Sequence, residues 1–205
     1  MSLSLRNSAT QKTVFLDRDG VINQDSKFYI KSWSEFAFLP RSLLALKKLS
    51  QHHFHTYIIT NQSAINRNMV PLSTLNQIHN NMLAEINSAG GRIEEIFFCP
   101  HLPEEHCSCR KPKPGLVLAA RKKYHMDLSC SYLVGDSAKD IMCAKQAGCG
   151  FSLLVKTGNY SDAVRALSGA GMAPDYDALD LYDAVKWIIA HHDQNNRSET
   201  VDSAY

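Results

Sequence analysis

Thr13-Val-Phe-Leu-Asp17-Arg-Asp19-Gly-Val-Ile-Asn23 runs from a short apolar segment directly into two carboxylates. A brief β-branched and aromatic run reads as a buried strand, and the polar residues after it read as the turn that leaves it. Four more runs share that character: Thr56-Tyr-Ile-Ile59, Glu95-Ile-Phe-Phe98, Tyr132-Leu-Val134 and Phe151-Ser-Leu-Leu-Val155. The segments between them have helical spacing. Arg41–Ser50 is leucine-rich, and Leu75, Ile78, Met82 and Ile86 fall on one helical face with Ser73 as N-cap. Pro114 opens a helix through Tyr124, and Gly148 ends one over Ala138–Ala147. Strand–helix alternation predicts an α/β fold, a Rossmann-like, doubly wound and mainly parallel sheet covered by helices on both faces.

Asp17, Thr60 and Asp136 each stand at, or within two residues of, the C-terminal end of a predicted strand. In a doubly wound sheet those ends converge on one crevice, where ligands bind. Residues far apart in sequence are therefore expected at one site.

The bulk properties bound the rest. A chain of 205 residues, 44% apolar and 20% charged, suits one well-buried domain. The expected division is a flexible stretch over 1–12, one domain over 13–190 and a flexible polar tail over 191–205. No run reaches the roughly 20 apolar residues of a membrane span, and Met1–Lys12 lacks a secretory core, so a cytoplasmic protein with no membrane partner is expected. A net charge of +2 does not suggest a nucleic-acid binder, and a monomer is expected. Lys47–Lys48 and Arg121–Lys123 read as solvated helix faces.

Four segments carry chemistry. In Asp17-Arg-Asp19-Gly, paired carboxylates can divide labour, one attacking or binding metal while the other handles protons, although Asp and Gly also make ordinary turns. A calcium loop is excluded because Gly20 is at loop position four and Phe28 occupies the place of the bidentate glutamate. Ile58-Ile-Thr60-Asn-Gln-Ser63 offers a hydroxyl and free amides to an anionic oxygen, or else simply caps a turn. Cys109-Arg110-Lys111-Pro-Lys-Pro-Gly115 holds a cation pair where the backbone is constrained, suited to neutralising a phosphate. In Leu133-Val-Gly-Asp136-Ser-Ala-Lys-Asp140, Asp136 is a hard oxygen ligand for magnesium, and Asp140 supports it from one helical turn further on.

Cys99-Pro-His101 followed by His106-Cys107-Ser-Cys109 supplies three thiols and an imidazole within eleven residues, a tetrahedral zinc shell with no open position. His101 is preferred over His106, whose adjacency to Cys107 makes joint ligation awkward. Such a zinc loop (99–109) would be structural, holding Arg110 and Lys111 over the phosphate. Cys130, Cys143 and Cys149 read as packing residues.

The four segments, in this order and placement from about Thr13 to Gly158, resemble the ordered motifs of the haloacid dehalogenase-like phosphohydrolases. That resemblance implies a magnesium-dependent phosphatase. Asp17 is the implied nucleophile, forming an aspartyl-phosphate, and Asp19 the general acid and base. Thr60 and Lys111 bind the phosphoryl oxygens, and magnesium is held by Asp17, the Asp19 carbonyl and Asp136. The carboxylic acid at Asp19 favours a phosphatase over a dehalogenase, because an alkoxide needs a proton.

With the zinc loop, the sequence resembles the D-glycero-D-manno-heptose 1,7-bisphosphate phosphatase family more narrowly. The resemblance implies removal of the C7 phosphate from a small-molecule sugar phosphate in nucleotide-heptose and lipopolysaccharide core synthesis. Asp25, Phe28, Asn61, Gln62, Ser63, Arg110 and Ser137 match its substrate-facing positions. Ala64, Asn68 and Ser137 depart from its usual residues and bear on substrate preference. No large cap domain is expected. The rival readings are a histidinol-phosphate phosphatase, which shares both patterns, and a non-catalytic zinc-stabilised binding module.

Overall fold

Along Thr13–Leu16 the side chains alternate, and each face meets its own set of helices. The computed structural model describes residues 12–158 and 160–202. Its six strands are β1 (Thr13–Leu16), β2 (His55–Asn61), β3 (Glu95–Cys99), β4 (Tyr132–Gly135), β5 (Phe151–Val155) and β6 (Tyr176–Ala178). They form one sheet in the order β3-β2-β1-β4-β5-β6, every neighbouring pair parallel. The helices are α1 (Ser42–Gln51), α2 (Leu72–Ser88), α3 (Gly115–Tyr124), α4 (Ala138–Ala147), α5 (Tyr160–Gly169) and α6 (Leu181–Asp202).

Val14 and Leu16 pack with Leu46 and Leu49 of α1, Met82 and Ile86 of α2, and Val185 and Ile188 of α6. Phe15, Tyr57 and Leu133 point the other way, onto Val117 and Ala120 of α3 and Cys143 and Ala144 of α4. Leu154 and Ile141 receive Ala163 and Leu167 of α5. The doubly wound expectation therefore holds, and each fully buried Leu or Ile contributes about 1.5–3 kcal/mol through burial alone. The strand order reverses between β1 and β4, so the crevice at their C-terminal ends is the natural ligand site. No inserted domain covers it among the described residues. Among those residues, no helix is long and apolar enough to cross a membrane.

The structure differs from the sequence reading in four places. Pro71, extended at φ −68° and ψ 151°, caps α2, which puts Ser73 inside the first turn. The segment after β5 adds α5 and the edge strand β6. The polar residues from His191 onward continue α6 to Asp202, because His191 stacks on Trp187 at 4.7 Å and meets Phe151 at 4.3 Å. Cys143 and Cys149 are core residues, whereas Cys130 is exposed in the turn before β4. Most of the expected stretch 1–12, residues 1–11, lies outside the described residues, as do residues 203–205.

Candidate active site

Strands β1, β2, β4 and β5 each deliver a piece of the site at or just beyond their C-terminal ends. Leaving β1, the Asp17 amide still pairs with the Val134 carbonyl at 3.0 Å, which fixes where its side chain departs. The chain then turns tightly, with the Gly20 amide on the Asn23 carbonyl at 2.8 Å. Gly20 has φ +78°, and a Cβ there would fall 2.1 Å from Asp136 Oδ2. A Cβ on Gly158, after β5, would fall 2.0 Å from the same oxygen. Asp136 thus sits in a cradle that two glycines leave open. Thr157 closes the cradle by donating its hydroxyl to the Gly20 carbonyl at 2.5 Å. Neither Thr157 nor the role of Gly158 was foreseen. A Thr-Gly pair one residue beyond a strand was the available signal.

Carboxylate oxygens of Asp17, Asp136 and Asp140 lie within 4.8 Å of one another. Oxygens bound to one magnesium at about 2.1 Å each can be no more than about 4.2 Å apart, so modest adjustment brings two of them onto a shared cation. Electrostatics point the same way. Burial, with Asp140 and Asp17 nearby, pushes Asp136 up to about 8. Burial likewise raises Asp17 to about 7, against the pull of Lys111. Such a group of crowded acids suits a bound cation.

Lys111 is the cation supplied by the chain. Its Nζ lies 2.8 Å from Asp17 Oδ2 and 2.6 Å from Asp140 Oδ1, and it donates to the Ile59 carbonyl at 2.9 Å. The two carboxylates overcome burial and hold its ammonium well above the ordinary lysine range. Asp140 is fully buried, and its other oxygen accepts from the Ser137 hydroxyl at 2.6 Å and amide at 3.1 Å. It supports the site through Lys111 and Ser137, and Gly135 has no Cβ because Asp140 occupies that space.

Several residues expected to meet substrate have structural partners. The Asn61 amide grips the Lys111 backbone from both sides, donating to its carbonyl at 3.2 Å and accepting from its amide at 3.1 Å. Gln62 donates to Asp19 Oδ2 at 2.8 Å and to Thr60 Oγ1 at 2.9 Å. Thr60, Asn61 and Gln62 still line a cleft of about 520 Å³, as do Asp25, Arg110 and Ser137. Ser63 does not: it is buried at 4% exposure and lies outside the lining. Phe28 stands 76% exposed between lining residues without lining the cleft itself.

The second cluster adjoins the first. Cys99, His101, Cys107 and Cys109 bring their ligand atoms within 4.8 Å of one another. The sulfur–sulfur edges are 3.2 to 3.6 Å, and His101 Nδ1 is 3.2 Å from Cys109 Sγ. A zinc–sulfur bond of about 2.3 Å gives tetrahedral edges of about 3.8 Å, so the donor set fits with slight expansion. Burial opposes ionisation of Cys107, yet the Arg110 amide and the neighbouring thiols bring it down to about 7, toward the thiolate a metal takes. His106 is outside the cluster, in a left-handed turn with its carbonyl bound by Lys113 Nζ at 2.8 Å. Arg110 donates to the His101 carbonyl at 3.1 Å, joining the cluster directly to the cleft.

Comparison with known proteins agrees with this architecture. A family model described as HAD-hydrolase-like matches residues 108–184. Over 148 residues the chain is 44% identical to the D-glycero-beta-D-manno-heptose-1,7-bisphosphate 7-phosphatase of Bordetella bronchiseptica, covering 72% of this chain and 82% of that protein. The chain belongs to the heptose bisphosphate phosphatase family. A second member, from Pseudomonas putida, is 43% identical over 72% of this chain and 83% of its own length. A Photorhabdus laumondii member named for the alpha anomer is 37% identical, covering 72% and 84%. Among solved structures, the Bordetella bronchiseptica enzyme complexed with magnesium and phosphate superposes with a TM-score of 0.82 at 37% identity, covering 88% of this chain and 99% of that one.

Proposed function

We propose that this chain hydrolyses the C7 phosphate of D-glycero-D-manno-heptose 1,7-bisphosphate through a phosphorylated Asp17. The observation that carries the reading is the meeting of Asp17, Asp136 and Lys111: carboxylate oxygens within 4.8 Å, with an ammonium 2.8 Å from the nucleophile. Asp17, Asp136 and the Asp19 carbonyl would hold magnesium, whose charge offsets repulsion between carboxylate and phosphate when it is bound.

Asp17 attacks phosphorus in line with the bond to the C7 oxygen, and Lys111 and Thr60 take the phosphoryl oxygens. Against burial, the Arg18 guanidinium, Asn23 and Gln62 hold the Asp19 carboxyl below the usual carboxylate range, so Asp19 passes to the departing alkoxide a proton that it takes up when substrate binds. It then takes a proton from the water that attacks the aspartyl-phosphate, which frees inorganic phosphate and restores Asp17. The C1 phosphate remains, leaving a sugar 1-phosphate of the class that nucleotidyl transfer activates. Arg110 and Lys139 line the same cleft and suit the remote anionic group. Cys99, His101, Cys107 and Cys109 would hold a structural zinc, with no position left for substrate. A sugar bisphosphate does not cross a membrane unaided, so the reaction belongs in the cytoplasm.

The test is a comparison of kcat/KM for both anomers of the heptose bisphosphate and for histidinol phosphate. One bisphosphate anomer is expected to be the preferred substrate, with the C1 phosphate retained. A strong preference for histidinol phosphate overturns the assignment.

A further inference from the structure

Arg18 lies between the two catalytic aspartates and is only 1% exposed, the largest fully buried side chain described. A buried guanidinium must find acceptors for its N–H groups. Nε and Nη2 go to the Asp19 carboxylate: Nε to Oδ1 at 3.2 Å, and Nη2 to Oδ1 and Oδ2 at 2.9 Å each. Nη1 lies 3.1 Å from Nε2 of His79, sixty-one residues away on α2.

His79 is out of place by packing alone. It belongs to the buried face of α2 formed by Leu75, Ile78, Met82 and Ile86, where a further aliphatic residue would avoid burying a polar ring. Arg18 can only donate, so Nε2 must be the unprotonated ring nitrogen that accepts. Burial and the adjacent guanidinium push the imidazole down to about 3, which keeps it neutral and able to accept. The Phe98 ring stands edge-on to the imidazole at 6.0 Å and limits its rotation.

We propose that His79 is a positioning residue for the reaction: by accepting from one edge of Arg18, it fixes the other edge of the guanidinium against Asp19. The inference rests on Asp19 being the acid and base. Asn23 Nδ2 and Gln62 Nε2, each 2.8 Å from an Asp19 oxygen, complete the frame that aims the carboxyl group. Without the imidazole, a buried N–H group has no acceptor and the guanidinium turns to seek one, taking Asp19 with it. Displacement of a catalytic group by about 1 Å costs on the order of a hundredfold in rate.

Leaving-group chemistry separates aiming from folding. The first step needs a proton on an alkoxide and needs none on p-nitrophenolate. The experiment therefore measures single-turnover leaving-group release from heptose bisphosphate and from p-nitrophenyl phosphate, both with saturating magnesium. For His79→Leu the sugar phosphate rate is expected to fall tenfold or more, the p-nitrophenyl phosphate rate to stay within threefold, and KM for the sugar to stay within twofold. His79→Gln, whose Oε1 reaches about where Nε2 lies, is expected to recover most of the loss. Arg18→Lys, which keeps the charge without the fork, is expected to show the same selective loss and serves if His79→Leu does not fold. Equal losses on both substrates, or no loss on either, overturn the proposal. Asp19→Asn is the control: if its losses are also equal on both substrates, the acid–base assignment itself has failed.

Discussion

Replacing Lys111 by methionine removes the one ammonium that bridges Asp17 at 2.8 Å and Asp140 at 2.6 Å. Methionine fills a similar volume, so the effect is electrostatic. Two buried carboxylates lose their counter-charge, and removing one partner of a buried pair costs about 3–5 kcal/mol. In a domain of this size each kcal/mol moves the melting temperature by about 2–4 °C, so a drop of about 6–20 °C is expected for the metal-free protein. Loss of a preorganised cation beside the reacting phosphoryl group is expected to lower kcat by about 10²–10³. Adding Asp140→Asn should restore at least half of the lost stability, because one uncompensated charge disappears, while activity stays low. Thermal melts in EDTA read the first quantity, and steady-state assays with saturating magnesium the second. If Lys111→Met melts within about 2 °C of the parent, or if the double variant regains activity, the reasoning about this pair is wrong.

Gly158→Ala places a methyl group 2.0 Å from Asp136 Oδ2, and should weaken magnesium binding at least tenfold by calorimetry, with a folded protein retained. Unchanged affinity would mean that the cradle is not tight. In metal-free protein, Asp17 and Asp136 are raised to about 7 and about 8, whereas unfolded carboxylates titrate near 4. The folded state then holds more protons between those values, so its stability falls as pH rises from about 4 to about 8. Magnesium should accordingly raise the melting temperature more at pH 8 than at pH 6, and an increment that shrinks with pH contradicts the sign. Chelating the zinc proposed for Cys99, His101, Cys107 and Cys109 should lower activity at least fivefold by loosening Arg110 and Lys111, measured after metal analysis confirms its removal. Full activity in the stripped protein would uncouple the loop from the cleft.

Strands β1 to β5 and the helices packed on them were legible because buried parallel strands are short, apolar and bounded by polar turns. β6 was not, since Tyr176-Asp-Ala178 is a three-residue edge strand carrying a charge. The tail beyond His191 read as polar, yet its first turn is held by rings from β4, β5 and α6, contacts that no local pattern encodes. In the site, the strand-end placement of Asp17, Thr60 and Asp136 announced that they would meet in one cleft, and residue type and spacing made Cys99, His101, Cys107 and Cys109 legible as one cluster. Arg18 and His79 were not, because their meaning lies in a contact spanning sixty-one residues. Asn61 and Ser137 were assigned to substrate, yet their hydrogen bonds run to Lys111 and Asp140. A sequence motif shows that a residue belongs to a site without showing which neighbour it serves.

The central claim is that a side chain of this protein carries the phosphoryl group between the two chemical steps. The direct measurement is rapid acid quenching during turnover of substrate with a labelled C7 phosphate, followed by peptide mapping. Label on the peptide containing Asp17, absent in Asp17→Asn and without magnesium, is the expected result. Turnover by Asp17→Asn at the parent rate, or label on a different residue, would contradict it.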